Sequence, residues 1–307
     1  MSQEEVMEGP VSSGAGRLPT GRPLLLGKLG VIGAVLLVYA PILYYMMLHW
    51  KAVDDYSHGF LIVPLAIYFA WEKWPQLQRA PAEGSWLGLI PLGAGAGALT
   101  VGRLGVELMS MRMGFVLTLI GMVLLLFGRQ VTRILAFPLC FLFLMVPLPQ
   151  SLVNIIAFPL QLIAASAAVW TLHLLHIPAL LEGNIIHLAN TQLFVAEACS
   201  GLRSLMALLT LGVVFAHFFR KGRPIQQLVI VVSTFPIAIL VNAIRVAITG
   251  FLTYHHGVEA AGGFIHEFQG MITFSVAFVL LLAEARLLNL LWPATRRASP
   301  PQAEGRA

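Results

Sequence analysis

One of the two cysteines stands among residues able to do chemistry: Glu197-Ala198-Cys199-Ser200-Gly201-Leu202-Arg203-Ser204. It falls where a polar segment meets an apolar run at 202–219. A thiol at a helix N-terminus faces unpaired backbone N–H groups and the positive end of the helix dipole, which favour the thiolate. The same N–H groups suit a developing oxyanion, and Gly201 lets a substrate backbone come close. Read without chemistry, the segment is an ordinary helix start with Ser200 as its N-cap.

Three further clusters are candidates to act with that thiol. Asn242-Ala243-Ile244-Arg245 lies inside an apolar run at 225–250, where an arginine must pair, reach the interface or serve a site. In a site, Arg245 would steady a thiolate, an oxyanion or a substrate carboxylate. His266-Glu267-Phe268-Gln269-Gly270 opens the last apolar run, and an imidazole is the natural proton carrier for a thiol nucleophile. His255 and His256 lie in the same stretch, so residue type alone does not single out His266. Asp54-Asp55-Tyr56-Ser57-His58-Gly59 precedes the second run. Asp55 and His58 read as supporting residues, or as acidic groups at a helix N-terminus. No His-Glu-x-x-His spacing occurs, and neither a metal nor another cofactor is expected.

The elements that position these groups are membrane helices. Of 307 residues, 58% are hydrophobic and 11% charged, and mean hydropathy is +0.83; soluble domains carry about 25% charged residues. The net charge of +5 does not signal nucleic acid, because the basic residues sit in short stretches between apolar runs. Residues 1–23 and 293–307 read as disordered cytoplasmic tails around a single membrane domain at 24–292. No cleavable signal is expected, since 1–19 is polar and the run at 24–48 is too long for a signal-peptide core. Cys140, inside an apolar run, reads as a small buried hydrophobe.

Apolar runs occur at 24–48, 59–71, 86–101, 108–127, 134–148, 153–175, 202–219, 225–250 and 270–291. Basic residues mark the inner side: Arg17, Arg22 and Lys28, then Lys73 and Arg79, Arg129 and Arg133, the turn at 220–223, and Arg296 with Arg297. Residues 183–200 and 251–265 contain no Lys or Arg and are assigned outward. Three runs separate Arg129 from Arg220, so one of them does not cross. The run at 153–175, interrupted by Asn154, Pro159, Gln161 and Ser166, is expected to be interfacial or re-entrant. The fold class is thus all-α polytopic, with eight spans and both termini inside; Arg103 and Arg112 then flank an outward loop, against the charge rule. A short hairpin-like extended segment over 183–198, turning near Ala189-Asn190-Thr191, should deliver the chain to Cys199. This topology brings Cys199, Arg245 and His266, from three different spans, to the outer face.

These residues, in this order, resemble the exosortase/archaeosortase family: the Cys199 motif, Asn242-x-x-Arg245, His266-x-x-x-Gly270 and the Asp55-Tyr56-Ser57-His58-Gly59 stretch with Pro64. The resemblance implies an inner-membrane cysteine transpeptidase with Cys199 as nucleophile, Arg245 as transition-state stabiliser and His266 as acid and base. It also implies exported substrates bearing a C-terminal sorting signal of a Pro-Glu-Pro motif, a hydrophobic helix and a basic tail. The acyl acceptor would be water or an amine on a lipid or glycan, and the setting exopolysaccharide assembly. Glu197, Ser200, Arg203 and Asn242, with Asp55 and His58, are expected to support substrate binding. A transporter, or a non-catalytic scaffold for polysaccharide assembly, is the competing class; a transporter would show midplane polar residues and an inverted repeat.

Overall fold

Apolar segments with no water to bond their backbone must close their own hydrogen bonds. In the computed structural model, which describes residues 22–195, 201–219, 223–257 and 263–292, they do so mainly as α-helices. The order is α1 (Arg22–Ala52), α2 (Gly59–Glu72), α3 (Trp74–Leu77), α4 (Leu89–Leu104), α5 (Leu108–Ile134), α6 (Ala136–Phe141) and α7 (Gln150–Leu174). A sheet follows, β1 (Ala179–Glu182), β2 (Ile185–Leu188) and β3 (Gln192–Phe194), and then α8 (Gly201–Phe219), α9 (Pro224–His256) and α10 (Gly263–Leu291). The chain forms two compact units, Met1–Pro41 and Ile42–Ala307. The second holds the end of α1 and every later element. Of the expected tails, 1–21 and 293–307 lie outside the described residues.

Among the described residues, six helices are long and apolar enough to cross a membrane: Gly30–Ala52, Trp86–Leu104, Leu108–Ile134, Gln150–Leu174, Pro224–His256 and Phe268–Leu291. The chain is therefore an all-α polytopic membrane protein. The expected eight crossings are not reached by length alone among the described residues, because α2 has 14 residues and the run at 134–148 is broken into α6 and a short 3-10 turn.

Helices α4 and α5 form a close-packed hairpin. Small residues let the backbones approach: a Cβ on Gly95 would collide with Thr118 and with the Gly114 carbonyl. At the tip, the Glu107 carboxylate caps α5 by accepting from the backbone N–H of Met109 (2.8 Å) and Ser110 (2.6 Å). At the far end Gly128 takes φ +84°, where a side chain would also strike the Glu83 carbonyl.

Residues 135–149 are broken into α6 and a 3-10 turn (Leu142–Met145), and run antiparallel to α2. Phe69 packs on Phe137 and Phe141, with ring centroids 5.0 and 5.4 Å apart. Further along, the Trp50 indole N–H donates to Met145 O (3.0 Å) and the Tyr56 hydroxyl to Leu148 O (2.9 Å). Unwound carbonyls shielded from water need such donors. Cys140, expected to be buried, is exposed on α6: with Ala136, one turn away, it forms the face opposite the buried Pro138, Leu139 and Phe141.

The 153–175 run, expected to be interfacial or re-entrant, is a continuous helix of 25 residues, long enough to cross. It packs lengthwise on α9, Ala157 and Leu160 sharing a cavity wall with Ala238 and Asn242, and Leu172 lying against Gly250. It starts beside Tyr56, and α8, against which the 3-10 turn Asp54–Tyr56 lies, ends where His217 meets Glu72 at 3.2 Å.

The expected turn at 189–191 is present, closed by Leu188 N–H donating to Thr191 O at 2.8 Å. It joins β2 to β3, with Ile185 opposite Phe194 and His187 opposite Gln192. The third strand, β1, pairs antiparallel with β2 through a turn at Gly183, and was not foreseen. Alternation drives Ile186, Leu188, Leu193 and Val195 into one buried cluster with Ala165, Ala168 and Leu172 of α7 and Val246 and Ala247 of α9.

Candidate active site

Helix α9 carries a polar stripe through an apolar sequence. Asn242, Arg245, Thr249 and Thr253 recur at helical spacing and so share one face. Arg245, Thr249 and Thr253 are buried, Arg245 to 4% exposure, and a guanidinium is tolerated at that depth only where the structure is built around it. The hydroxyl of Thr249 lies 2.9 Å from Arg245 O and 3.1 Å from Gln269 Oε1, so its single proton joins α9 to α10 or closes back on its own helix. Gly270 presents no side chain to this seam, and a Cβ there would stand 4.0 Å from Arg245 Nη1. Arg245 therefore packs where α10 is bare.

Positions 266, 269 and 270 share a helix face. The face of α10 that meets Arg245 and Thr249 is thus the one that carries His266, one turn nearer the start of the helix; the side chain of His266 lies outside the described residues. Gln269, Thr249 and Thr273 belong to this seam, and the sequence reading gave them no role. The signal available was the 242–245–249 periodicity.

Cys199, Glu197 and Ser200 also lie outside the described residues, and Arg203 is described only as a position in α8. Val195 is fully buried in the cluster that contains Val246, the neighbour of Arg245. Leu205 and Asn242 line one small cavity, and Leu208, Asn242, Arg245 and Thr273 line another. Asn190 Nδ2 donates to Tyr254 O (3.0 Å), tying the sheet to the end of α9.

The Asp54–Tyr56 turn lies against α8 and packs as a clamp on 144–148. His58 is bonded to the carbonyls of Leu144 and Asp55; burial, outweighing those bonds and the nearby Asp55 carboxylate, holds its pKa below the ordinary histidine value. Burial, then the charge of Asp55, raises the Tyr56 phenol, so it stays a donor to Leu148 O. In this geometry His58 is tied to the backbone, and Asp55 acts on it and on Tyr56 electrostatically.

A bundle of apolar helices, with a guanidinium buried in the α9–α10 seam beside a small sheet, defines a multi-pass membrane protein with a polar centre built between helices. The family model for transmembrane exosortases matches residues 50–283, and the chain belongs to that family. The match spans positions 199, 245 and 266. No curated protein and no solved structure matches the chain.

Proposed function

We propose that the protein is a cysteine transpeptidase that cleaves the C-terminal sorting signal, of Pro-Glu-Pro type, from exported proteins at the outer face of the bacterial inner membrane. The observation that carries this reading is the packing of buried Arg245 against Gly270, on the helix face that carries His266, in a member of the transmembrane exosortase family. The substrate's hydrophobic helix docks laterally, and its motif reaches the outer interface. The Cys199 thiolate adds to the scissile carbonyl, and Arg245 with backbone N–H groups balances the oxyanion. Collapse of that intermediate breaks the C–N bond, the imidazolium of His266 gives its proton to the departing amine, and a thioester remains on Cys199. An acceptor amine or water then attacks the thioester, gives its proton to His266 and expels the Cys199 thiolate, restoring the starting ion pair.

Basic-residue bias, with Arg129 and the 220–223 turn both inside, supports a topology of eight crossings: α1, α2, α4, α5, the broken segment 135–148, α8, α9 and α10. Both termini are then cytoplasmic, and α7 lies with the sheet on the outer side. Co-expression with a substrate bearing a sorting signal tests the function. Processing should stop in Cys199→Ala with membrane insertion intact, and persist in Cys140→Ala; unchanged processing in Cys199→Ala ends the enzyme reading.

A further inference from the structure

A second polar centre lies at the tip of the α4–α5 hairpin, away from the α9–α10 seam in sequence. A cavity of about 360 Å³ is bounded by His49, Tyr56, Glu107, Arg112, Pro149 and Gln150, among others. Arg112 stands in its wall at 5% exposure, and its Nε has no hydrogen-bond partner among the described residues. The nearest carboxylate, Glu107, is engaged with the N-terminus of α5 through both oxygens. A buried guanidinium without a bonded anion carries a desolvation cost that a ligand would offset. The cavity also receives the opening turn of α7, a 25-residue helix whose N-cap, Pro149, supplies no side-chain bond to the first N–H groups. A helix N-terminus and a buried guanidinium aimed into one space both favour an anion.

The surroundings say which kind. Val106, at the hairpin tip, is 83% exposed, and along α4 away from the tip Val101 is 66% and Ile90 70% exposed. The tip connecting α4 to α5 is only Gly105-Val106-Glu107, so the hairpin ends as its apolar stretch ends. Arg112 follows Glu107 by five residues, about 7 Å along the helix axis. That is the level of lipid headgroups, with apolar surface outside for acyl chains. We propose that this cavity binds the phosphate of a membrane phospholipid, with Arg112 as its forked donor and the α7 N-terminus as its second anchor. The guanidinium that stood against the charge rule as part of an outward loop then has a ligand on that side.

The test is native mass spectrometry of the full-length protein, delipidated in mild detergent and titrated with dihexanoyl phosphatidylglycerol, inorganic phosphate or a short glutamate-containing peptide. One phosphatidylglycerol should bind, and Arg112→Gln should weaken it roughly ten- to hundredfold, as expected for losing charge-assisted bonds. Arg112→Lys, which keeps the charge but not the fork, should fall between the two. Gln150→Trp leaves the guanidinium intact and narrows the mouth, so its loss of binding carries the test if Arg112→Gln does not fold. Equal lipid binding by wild type, Arg112→Gln and Gln150→Trp overturns the proposal. So does binding of inorganic phosphate as tight as that of the lipid, or of the acidic peptide in place of the lipid.

Discussion

At the scale of single residues, Arg245 and Gly270 make the most specific pair. A Cβ at 270 would stand at ordinary contact distance, 4.0 Å from Nη1, so Gly270→Ala should process substrate nearly as wild type does. Gly270→Leu should displace the guanidinium and lower the rate at least about tenfold, while Arg245→Ala, with the proposed oxyanion donor gone, should lose roughly 10²–10³; a substrate-processing time course measures all three. His58 offers a pH test. Its folded pKa lies below the ordinary value of 6.5 because burial disfavours the imidazolium. The unfolded chain then binds the proton more readily, so His58 contributes stability above about pH 6.5 that is lost as pH falls through the folded pKa. Thermal melts in detergent should show midpoints dropping over that window, with a shallower slope in His58→Gln. The sequence made Arg245 visible as a charge inside an apolar run, because burial of arginine needs a reason. It could not reveal that Gly270 faces it, since that depends on how two helices are rotated about their axes. It likewise gave no sign that Cys140 is exposed, which depends on which face of α6 packs inward.

At the scale of elements, the broken segment 135–149 depends on donors from outside itself. Trp50 and Tyr56 bond the carbonyls of Met145 and Leu148, which an unbroken helix would have satisfied internally. Tyr56→Phe should cost about 1 kcal/mol of unfolding stability. Gly59→Val should cost more, because a side chain there runs into the Trp50 ring; midpoints of thermal or denaturant unfolding distinguish the two. Pro138 marks a kink in the sequence, yet the helix passes it and unwinds from Leu142. Loss of helical bonding over a few residues leaves apolar composition unchanged, and composition was the signal used. The β2–β3 turn was legible from Ala189-Asn190-Thr191 and the alternation around it, whereas β1 follows directly on an apolar helix and lacks that alternation.

For the whole molecule, the proposed outward side of the sheet and inward side of the α2–α4 connection rest on basic-residue bias. In a background without Cys140 and Cys199, Asn190→Cys should react with a membrane-impermeant maleimide on intact spheroplasts. Lys73→Cys should react only after permeabilisation, and the reverse pattern would invert the topology. The central claim is chemical: that Cys199 carries the acyl group. Incubating the purified protein with a sorting-signal peptide, quenching in acid and mapping the adduct by mass spectrometry tests this most directly. The account predicts a hydroxylamine-sensitive mass increment, equal to the N-terminal product, on the fragment containing Cys199. Cleavage of the peptide with every fragment of the protein unmodified, or an adduct only on Cys140, would contradict it.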